Sequence, residues 1–488
     1  MHEPESLGRI PSNFSKDVLT LVTGTTIAQI ITILASPIIT RLYGPETFGL
    51  LALFTSITGI IGVIACMRYE LAIMLPETDE EAANVFGLSV IFVMIVSILS
   101  IFPLILFQQP LLEFLKAPQL APFIWLIPLT VMASGTSLAL NYWNTRAKHF
   151  HRLSITRMIN SGSNTGTQLG MGFLGNTSGG TLIGANVLGQ IISMFVLAIV
   201  TLREHLFFFK NNITRKGLIE VLFRYNIFLK YDIWSALLNT ISWQIPVFVL
   251  SYFFTTAIVG YYSLGMMVIQ LPMSLIGGAI SQVFFQRAAE AKVTGTLRQL
   301  VEIIFEVLVK IGMFPIFILA FIGKDLFIVI FGSSWGDAGM YVQILSIWAF
   351  FWFLSSPLST LLTLFKELKL SVKMNIAILL TRLFSLILGG VMGSPFLAVC
   401  LFSITGVFLY GYACFIFLNF ADISLIKILK ILVSNFLTFL PAGIFIWIST
   451  LFLQPLHVVI FSTLILFLYY VYLLQTNHQI REIINGWG

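Results

Sequence analysis

Apolar runs of about twenty residues follow one another along most of the 488-residue chain, separated by short polar turns. A helix needs about 20 apolar residues to cross the hydrocarbon of a bilayer. The runs do not alternate with period two: Ile376 to Leu388 is almost unbroken, which excludes the short alternating strands of a transmembrane barrel. Marking the runs predicts an all-α integral membrane protein of about fourteen transmembrane helices. They cover roughly 17–41, 47–67, 83–107, 120–145, 156–175, 179–202, 232–254, 257–284, 300–323, 338–365, 371–392, 395–419, 428–452 and 456–475.

The first tight turn organises the rest. Thr40-Arg41-Leu42-Tyr43-Gly44-Pro45-Glu46-Thr47-Phe48-Gly49 sits between two apolar runs. Proline lacks an amide donor and glycine tolerates unusual dihedrals, so the pair should break the first helix. Glu46 and Thr47 suit the first turn of the next. A related turn recurs at Phe254–Leu264, with Gly260 answering Gly49, and each preceding helix carries a proline, Pro37 or Pro246. The pattern predicts two six-helix bundles, 1–202 and 232–425, joined by an amphipathic cytoplasmic link at 203–231. Two extra helices and a cytoplasmic tail follow at 426–488. Six being even, both bundles enter the membrane in one sense, a parallel pseudo-twofold repeat of the kind found in transporters.

Composition adds little beyond orientation. The chain is 58% hydrophobic and 10% charged, with a formal net charge of +6. The basic excess marks cytoplasmic loops rather than a nucleic-acid partner. With both termini cytoplasmic, only Arg41, Lys116 and Lys324 fall outside, while Lys310 and Arg382 fall within spans. The polar N-terminus lacks a cleavable apolar core, so the first helix is expected to act as its own insertion signal. Cys66, Cys400 and Cys414 all lie in apolar stretches and read as packing residues.

Candidate chemistry rests on ionisable groups at or near membrane depth, which are costly there. Arg68 and Glu70 close the second span. Glu302, Glu306 and Lys310 lie four apart on one face, Asp232 opens the seventh span, Arg287 follows the eighth, and Arg41 closes the first. Arg382 stands about ten residues from either end of its helix, too far to snorkel comfortably. The expected substrate-binding set is Arg382, Lys310, Arg68, Arg287 and Arg41, lining a wet cavity for an anionic head group. Asp232, Glu70 and Glu306 are the expected ion carriers. Each has a plainer role: Glu306 and Lys310 pair at i, i+4, Arg68 and Arg287 anchor cytoplasmic helix ends, and Arg41 holds its turn. Amides and indoles such as Asn141, Trp143, Asn144, Asn164, Gln168 and Gln244 suit sugars, and suit helix–helix bonding equally well.

An enzyme is not expected. His149 and His151 have metal-like spacing but lie in a basic loop without a nearby cysteine or carboxylate cluster, so no metal is expected. No P-loop is present, so work must come from a proton, sodium or substrate gradient and no cofactor is expected.

The segment Pro37 to Gly49, with Met67-Arg68-Tyr69-Glu70-Leu71-Ala72-Ile73-Met74-Leu75-Pro76 and the acidic stretch Glu77 to Glu81, resembles the Wzx-type (RfbX-like) flippases of the "polysaccharide biosynthesis protein" family. The resemblance covers about the first 85 residues; beyond them it is one of topology. It implies the multidrug/oligosaccharidyl-lipid/polysaccharide exporter fold in a bacterial inner membrane. It also implies an undecaprenyl-pyrophosphate-linked oligosaccharide as substrate, with a polysaccharide polymerase and a chain-length regulator as further partners beside membrane lipids. Fourteen spans resembles the lipid II flippase branch, but the N-terminus lacks that branch's arginine cluster. A multidrug extruder of the same fold and a non-transporting scaffold are the competing readings.

Overall fold

The computed structural model describes residues 12–273 and 278–476, and Arg9 and Arg481 of the expected cytoplasmic ends lie outside them. The described residues are helical apart from turns. Two compact units divide within one helix: Met1–Gln244 and Ile245–Gly488.

The first unit contains α1 (Ser12–Leu42), α2 (Pro45–Ile64), α3 (Tyr69–Ala72), α4 (Asp79–Leu99), α5 (Ile101–Phe114), α6 (Leu126–Arg146), α7 (Phe150–Phe173), α8 (Gly179–Asn212) and α9 (Arg215–Arg224). A π-helical turn, Phe228–Asp232, leads into α10 (Ile233–Phe253), which straddles the division. The second unit continues with α11 (Thr256–Pro272), α12 (Gly278–Thr294), α13 (Leu297–Phe331), α14 (Gly336–Leu358), α15 (Thr360–Leu364), α16 (Leu368–Val391), α17 (Pro395–Asn419), α18 (Leu425–Phe452) and α19 (Pro455–Thr476).

Among the described residues, each run expected to span is mainly helical. By length and composition, 11 helices of the described residues are able to cross a membrane, with Thr256–Leu271 a shorter apolar helix. The helices α6 and α7 are long enough, but Asn141, Asn144, Asn160, Asn164 and Gln168 make them polar. The expected link at 203–231 takes two forms. Its first part prolongs α8 as one continuous helix to Asn212, and its second is α9, whose cap Thr214 accepts from the Gly217 amide at 3.0 Å. Both belong to the first unit.

Lipid tails offer no hydrophobic drive for helix association, so small and polar residues join the spans. In the first unit Thr32 of α1 meets Ser161 of α7 at 2.9 Å, and Asn144 of α6 donates to Thr201 of α8 at 2.8 Å. In the second, Ser403 of α17 donates to the Ile344 carbonyl of α14 at 2.7 Å. Helices α13 and α14 approach backbone to backbone at Gly323 and Gly339. A Cβ on Gly339 would stand 2.4 Å from the Gly323 oxygen.

The turn that opens the chain works differently from the expectation. Gly44 has φ −76 and ψ 170, extended backbone open to any residue, so the break belongs to Pro45 at the start of α2. Tyr43 is the anchor: it is fully buried and donates to the Gln168 carbonyl at 2.8 Å.

Candidate functional site

After α2 the chain must turn sharply to reach α4, and it does so with two non-glycine residues in the left-handed region, Met67 (φ 50) and Arg68 (φ 65). Such a conformation costs an L-residue about 1–2 kcal/mol and persists only where its surroundings over-determine it. Here they do. Tyr69 is fully buried, and its hydroxyl donates to the Leu222 carbonyl at 2.7 Å. Arg146 of α6 donates to the carbonyls of Ile73 (3.1 Å) and Pro76 (2.9 Å) and pairs with Asp79 at 2.9 Å. Arg224 and Tyr225 both donate to Glu81, at 2.7 and 3.0 Å. The loop between α2 and α4 is therefore pinned from α6 and from α9.

This loop presents Arg68 to two carboxylates. Its Nε donates to Asp232 at 2.6 Å and its Nη1 to Glu70 at 3.2 Å. Glu70 is 1% exposed, and its second oxygen, Oε2, has no hydrogen-bond partner. Burial pushes the Glu70 carboxyl up from its ordinary value, and the nearby Asp232 adds to the rise; the Glu70 amide and Arg68 oppose it without cancelling it. Tyr142 of α6 lies within the field of all three charges. One guanidinium thus holds two carboxylates, one of which is shifted by burial toward its protonated form.

The other expected residues fall elsewhere. In the second unit Lys310 pairs with Glu306 at 2.6 Å, and Glu302 with Lys427 of α18 at 2.5 Å. Arg382 is 5% exposed on α16. It donates to the Tyr410 hydroxyl of α17 at 3.0 Å and sits 5.7 Å from the centre of the Phe402 ring. Arg41 is exposed at the end of α1, and Arg287 is exposed on α12. Of the amides, Asn144 and Gln244 serve helix–helix bonds, Gln244 accepting from Ser56 at 2.7 Å. Sequence reasoning did not single out Tyr410 or Tyr142. Nothing local marks Tyr410, 28 residues beyond Arg382, whereas Tyr142 stands within the polar run Asn141–Asn144.

A family model described as "Polysaccharide biosynthesis protein" matches residues 38–339, more than half of the chain. No curated protein matches. Among solved structures, the lipid II flippase MurJ in an inward closed conformation is similar with a TM-score of 0.69 at 13% identity, over 94% of this chain and 99% of that one. A multidrug resistance MATE family transporter is similar in its inward-facing conformation (TM-score 0.59, 17% identity, 83% of this chain and 99% of that one). The outward-facing conformation of such a transporter gives a TM-score of 0.52 at 15% identity, over 86% of this chain and 96% of that one. At these identities the likeness is one of fold, and the fold is that of flippases and transporters. The resemblance read from residues 37–49 and 67–81 is borne out: the chain is a multi-pass membrane protein of the polysaccharide biosynthesis protein family.

Proposed function

We propose that this protein flips an undecaprenyl-pyrophosphate-linked oligosaccharide across the bacterial inner membrane by alternating access, for assembly of an O-antigen, capsule or exopolysaccharide. The observation that carries the reading is Arg68, held in a strained turn beside a buried carboxyl with an unpartnered oxygen. A pyrophosphate crossing hydrocarbon needs its hydration replaced, and a guanidinium does so with paired donors. With Glu70 ionised, Arg68 is shared between two carboxylates. When Glu70 takes a proton, part of that competition disappears and the guanidinium is released toward an anionic head group. Proton uptake at Glu70 thereby favours head-group binding, and proton loss favours release. Arg382 supplies the second unit with an arginine kept from lipid by Tyr410 and Phe402.

Solved proteins of the same fold adopt inward-facing and outward-facing conformations, which supports alternating access here. The family supports a role as a transporter rather than an enzyme; a polymerase and a chain-length regulator are its proposed neighbours in the membrane. The basic loops support cytoplasmic termini.

The test is complementation of a deletion strain. Arg68→Ala should abolish long-chain surface polysaccharide while the protein remains in the membrane at its normal level. Normal surface polysaccharide from Arg68→Ala would overturn the reading. The fold is shared with multidrug transporters, and a buried carboxyl also suits an organic cation. A deletion strain that gains drug sensitivity and keeps its surface polysaccharide would favour that second reading.

A further inference from the structure

The basic loop that carries His149 offers no nearby cysteine or carboxylate cluster in the sequence. Folding supplies a carboxylate. His149 caps α7, whereas Glu204 and His205 lie on the part of α8 that runs on beyond the expected span. The ligand atoms of the three side chains all fall within 4.8 Å of one another. Both imidazoles aim at one oxygen: His149 Nε2 is 3.8 Å and His205 Nε2 4.0 Å from Glu204 Oε1. Neither distance is a hydrogen bond. The other oxygen, Oε2, is taken by Arg152, which fixes the carboxylate so that Oε1 is turned to the histidines. His205 Nε2 is buried and has no hydrogen-bond partner. A buried polar atom without a partner calls for an explanation, and an ion is one.

We propose that His149, Glu204 and His205 form a divalent transition-metal site, Zn²⁺ being the best fit, that ties the α6–α7 turn to the extended tail of α8. Two imidazoles and a carboxylate are a familiar zinc donor set, with bonds of about 2.0–2.2 Å. A tetrahedral ion with such bonds holds its donors about 3.4 Å apart, so the separations of 3.8 and 4.0 Å need to close by about half an ångström. The fourth position is left for water. Trp143 packs edge-on against His205 with centroids 5.6 Å apart, and Arg152 orients Glu204, so two of the three donors are held from behind. The site is reachable: Glu204 is exposed, and a cleft of about 250 Å³ lined by Asp79, Trp143, Arg146 and Phe208 opens beside His205. Bound metal would stiffen the route from α8 into α9, the helix whose Arg224 holds Glu81 beside the Arg68 loop.

The experiment uses the purified, tag-free full chain in detergent, titrated with Co²⁺ as a spectroscopic stand-in. One equivalent should develop the intense visible bands of a low-coordinate nitrogen–oxygen site, and Zn²⁺ should displace them. His205→Gln and Glu204→Gln should each weaken binding at least tenfold, with unchanged elution on size exclusion as the check that they fold. His151→Gln, two residues along but outside the cluster, should bind as the unaltered chain does. Absence of the bands in the unaltered chain would overturn the proposal. So would bands that survive both substitutions, or that are lost equally in His151→Gln.

Discussion

Glu70 carries the largest consequence of any single residue. Its carboxyl is buried, keeps one oxygen unpartnered and is raised above its ordinary value of 4.5. Between that value and the raised one, the folded chain holds a proton that the unfolded chain has released. Stability attributable to Glu70 is therefore full below 4.5 and falls as pH rises through the folded value. Glu70→Gln, which imitates the protonated form, should remove this slope. The check is the apparent unfolding midpoint of both proteins in detergent from pH 4 to pH 8. The unaltered chain should lose ground to Glu70→Gln as pH rises, and a parallel pair of curves would refute the assignment. Arg68 illustrates how a residue found by its charge also matters by its backbone. The basic character beside a span end was visible in the sequence, but the left-handed φ of 65 and the grip on Asp232 were not. Asp232 is 164 residues away along the chain, and only folding brings the two together.

At the scale of elements, proline creates needs that other residues meet. Pro315 inside α13 has no amide hydrogen, so the Ile311 carbonyl loses its helical partner. Tyr470 of α19 reaches across and donates to that carbonyl at 2.9 Å. Pro37 vacates the Ile33 carbonyl in the same way, and Ser36 of its own helix donates to it at 2.8 Å. Tyr470→Phe should cost about 1–2 kcal/mol by leaving a buried acceptor unpaired. Tyr469→Phe should cost less, since the Lys310 carbonyl that Tyr469 reaches is not opposite a proline. Thermal unfolding of the two variants gives the comparison. The last helix is therefore bound to α13, and Phe314 stacking on Tyr469 strengthens the join. The α13–α14 crossing depends on absent side chains instead. A Cβ on Gly339 would meet the Gly323 oxygen at 2.4 Å and the Lys324 Cα at 2.6 Å, both backbone atoms that no rotamer change relieves. Gly339→Ala should destabilise by about 1–3 kcal/mol through overpacking, seen as a lower unfolding midpoint and less folded protein recovered. The prolines were legible in the sequence as breaks, but the hydroxyls that answer them were not.

At the scale of the whole molecule, the two units handle their arginines differently. The first unit presents Arg68 to acids; the second wraps Arg382 in Tyr410, Phe402 and their neighbours. If both serve the transported head group, Arg382→Ala should abolish surface polysaccharide without loss of protein from the membrane. Tyr410→Phe keeps the charge and removes one bond, and should reduce export only partly. Surface polysaccharide profiles with immunoblots of the membrane fraction measure both, and full export from Arg382→Ala would exclude that role. The charges of α13 carry less weight, because Glu302 and Glu306 are each paired with a lysine, at 2.5 and 2.6 Å.

The all-α membrane architecture, the helical runs and the family motifs at 37–49 and 67–81 were determined by the sequence alone. Hydrophobic length and turn chemistry are local properties, and a bilayer leaves an uncovered apolar segment little choice but helix. Tertiary structure decided what each polar group does. It joined Arg68 to Asp232, Arg382 to Tyr410, and His149 to Glu204 and His205. It also assigned Asn144 and Gln244 to bonds between helices. Those outcomes depend on which helix faces meet, and the apolar runs, being hydrophobic nearly all round, carry too little amphipathic contrast to say which face turns toward a neighbour and which toward lipid.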